Sequence, residues 1–303
     1  MNIETVAVGF VFFVLGSIGI VLQATIIFLF LRSKNYNRNS CFRLMTSLAI
    51  ADLIQLFPHP YAAVKIWFQL EGHSEFEKVL GSLGSGCWNT AIAHTVLLAL
   101  NRLSVAFSLR QRVDQSLKTA NLMIFVGWSF CFIFCGVYFY YDVFVIYDDQ
   151  FYTWSFSADE QSIPFVEYLI NVVLSVLAFL IYLLIVVILY IQRKKTVRMV
   201  RNRQERWLLL QSIFLFVLSV FIIIMWHYAF AIFPNNRFTT LATNLAGILY
   251  CSISPIIYLS ASKLMRENLR RLLLSFCRPP RRIVLSTTAQ FHTSRIQPRS
   301  QIY

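Results

Sequence analysis

Seven stretches of the chain run apolar for the length of a lipid bilayer, and polar positions fall mainly between them. The runs lie near 6–31, 44–70, 79–107, 121–147, 164–192, 207–233 and 239–260. A helix needs about 20 mostly apolar residues to cross a hydrocarbon core of roughly 30 Å. Inside that core every backbone group must be satisfied internally, which restricts spanning segments to helices or closed barrels. The pattern therefore predicts an all-α membrane protein, a seven-transmembrane helix bundle with its termini on opposite sides. A different rhythm follows the last run. From Ser260 to Phe276 the apolar Leu264, Met265, Leu269, Leu272 and Leu273 alternate with the basic Lys263, Arg266, Arg270 and Arg271. That spacing fits an amphipathic helix lying along a membrane surface. The expected organisation is a bundle over 1–260, a surface helix over 261–277, and a basic tail over 278–303 with the composition of a disordered segment.

Composition sharpens this picture. Hydrophobic residues make up 57% of the 303-residue chain and charged residues 14%, with a mean hydropathy of +0.62. A soluble domain carries charges at roughly a quarter of its positions, so the bundle is essentially the whole protein. A net charge of +13 would suit a nucleic-acid binder, but its placement argues against that role. All but three of the 27 Lys and Arg residues fall in the loop after the first span, around the end of the third, between the fifth and sixth, or in the tail. The exceptions are Lys65, Lys78 and Arg237. Basic residues collect on the cytoplasmic side of a membrane. The expectation is a multi-pass plasma-membrane protein surrounded by lipid, N-terminus extracellular and C-terminus cytoplasmic. The loop over 147–163 carries Asp148, Asp149, Asp159 and Glu160 instead, as an outer loop would. The first run lacks a basic leader and reads as a retained helix, not a cleaved signal peptide.

No enzyme constellation occurs in the sequence. There is no HExxH, GxSxG, phosphate-binding loop or pair of intramembrane aspartates, so neither catalysis nor a metal or other cofactor is expected. None of the six cysteines lies in the long outer loop, and Glu77 stands at the outer mouth of the third span. An outer disulfide is therefore not expected. Cys277 ends the amphipathic stretch just before Arg278-Pro279-Pro280-Arg281-Arg282. That arrangement suits a palmitoyl anchor and equally suits an unmodified thiol.

Four motifs share one order and depth: Leu48-Ala49-Ile50-Ala51-Asp52 in the second span, Leu98-Ala99-Leu100-Asn101-Arg102 closing the third, Trp128 in the fourth, and Ser254-Pro255-Ile256-Ile257-Tyr258 in the seventh. Through them the chain resembles the rhodopsin-like G-protein-coupled receptors. Asn101-Arg102 in place of the commoner Asp-Arg, without an outer disulfide, resembles the nematode serpentine chemoreceptors of the T or X type. The resemblance implies a chemosensory receptor that binds a small extracellular ligand and activates a heterotrimeric G protein, with the sensory cilium as one location. It implies that Asn101, Arg102, Tyr182, Pro255 and Tyr258 serve G-protein coupling, with Glu205 as a distant acid for Arg102. It also implies a buried polar coupling site at Asp52, to which the seventh span supplies Asn244, Ser252 and Ser254. Arg102 also has a simpler reading, a boundary residue snorkelling to the interface. Three departures stand out. Ile20 occupies the place where the family usually has Asn, Ala91 replaces a hydroxyl that would help hold sodium, and the fifth and sixth spans lack internal proline and its kink.

A ligand in such a bundle sits in the outer half, between spans 3, 5, 6 and 7. Residues placed to meet it are Trp88, Asn89, Glu167, Asn171, Trp226, His227, Tyr228 and Asn244. Each fits core packing as well, the commoner use of aromatics at helical spacing. His94 lies deeper and reads as an interhelical hydrogen bonder. Ile248 stands where the resemblance would put a retinal-binding lysine, which excludes an opsin. Gly84 stands where amine receptors carry an aspartate, which argues against biogenic amines. The competing classes are a neuropeptide-type receptor, which usually carries the outer disulfide, and a small transporter. A transporter would show internal repeats and glycine-rich broken helices, whereas this chain has 10 Gly.

Overall fold

The computed structural model describes residues 3–32, 39–70, 74–107, 117–157, 162–195, 203–261 and 263–277. Helix α1 spans Ile3–Arg32, α2 Ser40–Leu56, α3 Pro58–Phe68, α4 Glu75–Phe107 and α5 Leu117–Tyr140. Then come α6 Ser162–Lys195, α7 Arg203–Ile232, α8 Arg237–Ala261 and α9 Lys263–Cys277. Between α5 and α6 lies an antiparallel hairpin, β1 Val145–Asp148 and β2 Thr153–Phe156. With α2 and α3 forming one rod, the architecture is a seven-helix membrane bundle followed by a short amphipathic helix.

Six of the seven rods carry an apolar stretch long enough to cross a bilayer. The other, α4, is 33 residues long but more polar, and its position explains why. It packs against α2, α5, α6 and α7 and buries Asn89, Thr90, His94, Thr95 and Asn101. Lipid tails offer no hydrophobic drive for one helix to prefer another, so a central helix is held by close packing and interhelical hydrogen bonds. Here His94 Nε2 lies 2.9 Å from Ser47 Oγ, which also accepts the Trp128 indole N–H at 2.9 Å. Gly127 on α5 makes this triad fit, because any side chain there would strike the His94 imidazole.

Proline breaks the second rod. Pro58 has no N–H with which to continue the α2 ladder, yet it suits the first turn of α3, and the chain steps at Phe57. α3 then closes on Gln69 in a left-handed conformation, φ 49°.

The fourth span is shorter than its apolar run predicts. α5 stops at Tyr140, and the chain turns through Asp142 (φ 56°). Val145–Asp148 then pairs as a strand in the register Val145↔Phe156 to Asp148↔Thr153. The run 143–147 is apolar because Val143, Phe144, Val145 and Tyr147 are buried against the end of the bundle, not because it crosses lipid. At the opposite end α9 folds back on the bundle. Met265 is buried among α1, α2 and α8 residues, and the Arg266 guanidinium donates to the Leu259 carbonyl at 2.9 Å. That contact satisfies one of the carbonyls a helix leaves unpaired at its end.

Candidate functional site

The hairpin roofs a cavity of about 380 Å³, within the size range of small-molecule pockets. Its roof is Val145, Thr153, Trp154, Ser155 and Phe156. Its walls come from α2, α3, α4, α6, α7 and α8. Six of the eight residues expected to meet a ligand line it: Trp88, Glu167, Asn171, Trp226, His227 and Asn244. The other two do not. Asn89 is fully buried behind the wall and donates to Glu167 Oε1 at 2.7 Å. Tyr228 points away, half-exposed, with its hydroxyl 2.6 Å from that of Tyr168.

Two sets of contacts fix the roof. On one side Asn244 donates to the Tyr152 carbonyl at 3.0 Å and to Thr153 Oγ1 at 2.8 Å, tying the hairpin to α8. Sequence reasoning assigned Asn244 to Asp52 as well, but its amide is spent on the hairpin instead. On the other side Lys65 Nζ meets Glu77 at 2.9 and 3.0 Å, with both side chains almost wholly buried. Glu77 Oε1 also accepts the Tyr147 N–H at 2.8 Å, and Lys65 donates to the Tyr147 carbonyl at 3.4 Å. Gly81 permits the close approach of β1, since a Cβ there would collide with the Val145 carbonyl. The Tyr147 hydroxyl is pushed up from its usual range by burial, then by Asp149, Tyr152 and Asp148 nearby.

The three basic residues that broke the charge pattern all lie at this end, and each has an acid. Lys65 pairs with Glu77, Lys78 with Glu75 at 2.8 Å, and Arg237 with Glu4 at 2.7 Å.

Beneath the roof, Glu167 collects three donors. Asn89 Nδ2 and Ser85 Oγ reach its Oε1 at 2.7 and 3.0 Å, and the Tyr138 hydroxyl reaches Oε2 at 2.7 Å. Ser85 and Tyr138 carry no signal in the sequence beyond being polar within apolar runs.

At mid-bundle Asp52 is buried and accepts from Gln23 Nε2 at 3.2 Å and Ser254 Oγ at 3.4 Å. Gln23 also donates to Ser254 Oγ at 3.0 Å and to the Cys251 carbonyl. The last contact has a specific cause. Pro255 lies inside α8 and has no N–H for the carbonyl four residues back, which is that of Cys251. An amide from α1 takes the orphaned acceptor. Gln23 was not singled out in the sequence, although it is the one amide side chain in the run 6–31. Ser252 turns to its own helix and donates to the Ile248 carbonyl at 2.7 Å.

The far end is closed. Arg102 is 7% exposed and Tyr258 and Tyr182 are 3% and 4% exposed, so Arg102 is held among bundle residues. Its guanidinium points at Cys41 Sγ, and Asn101 Nδ2 donates to Ser40 Oγ at 3.1 Å. Tyr182 and Tyr258 line a cavity of about 20 Å³ together with Asp52, Thr95, Gln211 and Ser254. Glu205 lies on α7 and Cys277 closes α9, but their side chains, like the tail over 278–303, are outside the described residues. Among the described residues Cys41, Cys87, Cys131, Cys135 and Cys251 are free thiols.

The family model described as "Serpentine type 7TM GPCR chemoreceptor Srt" matches residues 1–281. No curated protein sequence matches the chain. Among solved structures, the crystal structure of squid rhodopsin superposes with a TM-score of 0.69 at 15% identity, covering 91% of this chain and 88% of that one. At that identity the likeness speaks for the fold.

Proposed function

The chain belongs to the serpentine chemoreceptor family Srt, and on that premise we propose that it binds a small extracellular ligand in the roofed cavity and activates a heterotrimeric G protein at the opposite end. The hairpin end would face outward. The asymmetry of basic residues supports this orientation, and so does the pairing of the three exceptions with acids. The observation that carries the reading is the cavity itself, about 380 Å³ beneath a hairpin that covers it. A roof of this kind favours a small molecule over a peptide.

Transmission has a physical route. Ligand contacts on α7 and α8 act on helices that also reach the Arg102 end, where Tyr258, Tyr182 and Arg102 pack closed. α8 carries the backbone gap at Pro255, a point at which it can bend at low cost. A ligand shifts the equilibrium only by the difference in its affinity for the closed and open arrangements. Opening would free Arg102 for the G-protein α subunit.

The test is nucleotide exchange on a reconstituted G protein, driven by a panel of small odorant-like molecules. Gly247 lines the cavity, and a side chain added there meets no atom within 4 Å. Gly247→Leu should therefore fold normally and fill the cavity. An agonist whose action survives that substitution undiminished would place the ligand elsewhere.

A further inference from the structure

We propose that the cavity takes a small organic amine, held as its ammonium between the Glu167 carboxylate and the Asn171 side-chain oxygen. This rests on the cavity being the ligand site, and adds the chemical class.

Among the described residues Glu167 is the one carboxylate lining the cavity, and no Lys or Arg among them lines it. A buried carboxylate is costly unless it is hydrogen-bonded and paired with a cation. Hydrogen bonds are present, from Asn89, Ser85 and Tyr138. The cation is not: among the described residues no ion pair includes Glu167. A carboxylate offers about four acceptor positions, so the three donors leave room for one more from the cavity side. The two imidazoles of the lining lie against aromatic rings, His59 against Phe12 and His227 against Tyr168, and neither forms an ion pair with Glu167.

A second acceptor waits beside the first. Asn171 lies four residues after Glu167, on the same face of α6. It is 2% exposed, it lines the cavity, and its Oδ1 has no hydrogen-bond partner. One negative group and one orphaned acceptor, a turn apart, ask for a ligand that brings positive charge and at least two N–H donors. A primary or secondary ammonium does both. Trp88, Trp226 and Phe230 supply apolar faces for its carbon skeleton and π-surface for its charge. A carboxylate ligand would place a second anion here with no cation to meet it. An alcohol would leave Glu167 unpaired.

Gly84 lacks the acid that amine receptors present from the third span, and the sequence alone therefore pointed away from amines. The fold supplies the acid from α6 instead.

The test is a thermal-shift and binding screen of purified receptor against primary and secondary amines, with alcohols and carboxylates of the same carbon skeletons. Hits abolished by Gly247→Leu are counted as cavity ligands. They should concentrate among the amines, and Glu167→Gln, which keeps the size and much of the hydrogen bonding, should weaken them roughly a hundredfold. Asn171→Ala should weaken them about tenfold. Cavity ligands spread evenly over amines and alcohols, dominated by carboxylates, or absent from the amines would overturn the proposal. So would amine affinity unchanged in Glu167→Gln, which would mean that Glu167 merely ties α4, α5 and α6 together. Hits indifferent to Gly247→Leu would instead strike at the cavity as the ligand site.

Discussion

Lys65 and Glu77 form a buried ion pair, 2.9 Å apart, that grips both the N–H and the carbonyl of Tyr147. The pair joins α3, α4 and β1 at the point where the hairpin crosses the end of the bundle. A covalent cross-link between α4 and the loop would restrain the same two elements, and here charge and hydrogen bonding do so.

Removing one partner should be worse than removing both. Lys65→Met or Glu77→Gln strands the other group in a site closed to water, at a cost of about 3–5 kcal/mol. The expected result is a large drop in thermal stability of the detergent-solubilised receptor and poor surface expression. A Lys65→Met/Glu77→Met double substitution should recover much of the loss. If the singles match the wild type, the pair does not hold the roof.

A reducing agent should leave ligand response and surface level unchanged. The cysteines at Cys41, Cys87, Cys131, Cys135 and Cys251 are free and none lies in the hairpin. A clear loss of either property under dithiothreitol would reveal a cross-link that this arrangement has no place for.

Antibody access should follow the charge asymmetry. An epitope on the N-terminus should stain intact cells, and one on the C-terminus should require permeabilisation. Surface staining of a C-terminal tag would invert the bundle and place the cavity on the cytoplasmic face.

Arg102→Ala should abolish ligand-driven nucleotide exchange while sparing ligand binding and membrane insertion. The guanidinium is buried at the closed end beside Cys41, far along the bundle from the roofed cavity. Full coupling in a well-expressed variant would show that the arginine is a packing residue.

Two glycines on one helix should respond in opposite ways. Gly127→Ala drives a methyl into the His94 ring and should destabilise by about 1–3 kcal/mol, the usual cost of overpacking. Gly136→Ala meets no atom within 4 Å and should be neutral or stabilising by up to about 1 kcal/mol. Melting curves of the two variants side by side decide the point.

The bundle was legible because bilayer length and apolar runs are nearly the same information. Asp52, Arg102 and Pro255 were legible because charges and prolines inside such runs are costly and conspicuous. What escaped depends on partners far away in sequence. Gln23 and Pro255 belong to one hydrogen-bonding arrangement across 232 positions, and nothing local announces that the proline's orphaned carbonyl will meet that amide. Likewise, the apolar run through Tyr147 looks identical whether lipid or protein covers it. Asn89 and Tyr228 share helices with true lining residues and differ from them in the direction their side chains face.

The polarity of α4 also bears on how the protein is made. A helix enters the bilayer from the insertion machinery according to its own apolarity, and α4 alone falls short of the measure that the other six meet. Its start carries Glu75, Glu77 and Lys78, and its middle carries the polar groups that later bind its neighbours. Such a segment gains little from lipid until α2 and α5 are there to receive it. Its membrane entry should therefore depend on the synthesis of the strongly apolar α5 that follows. Substitutions that weaken α4's contacts, Gly127→Ala among them, should increase the share of nascent chains in which this one helix is left outside the membrane.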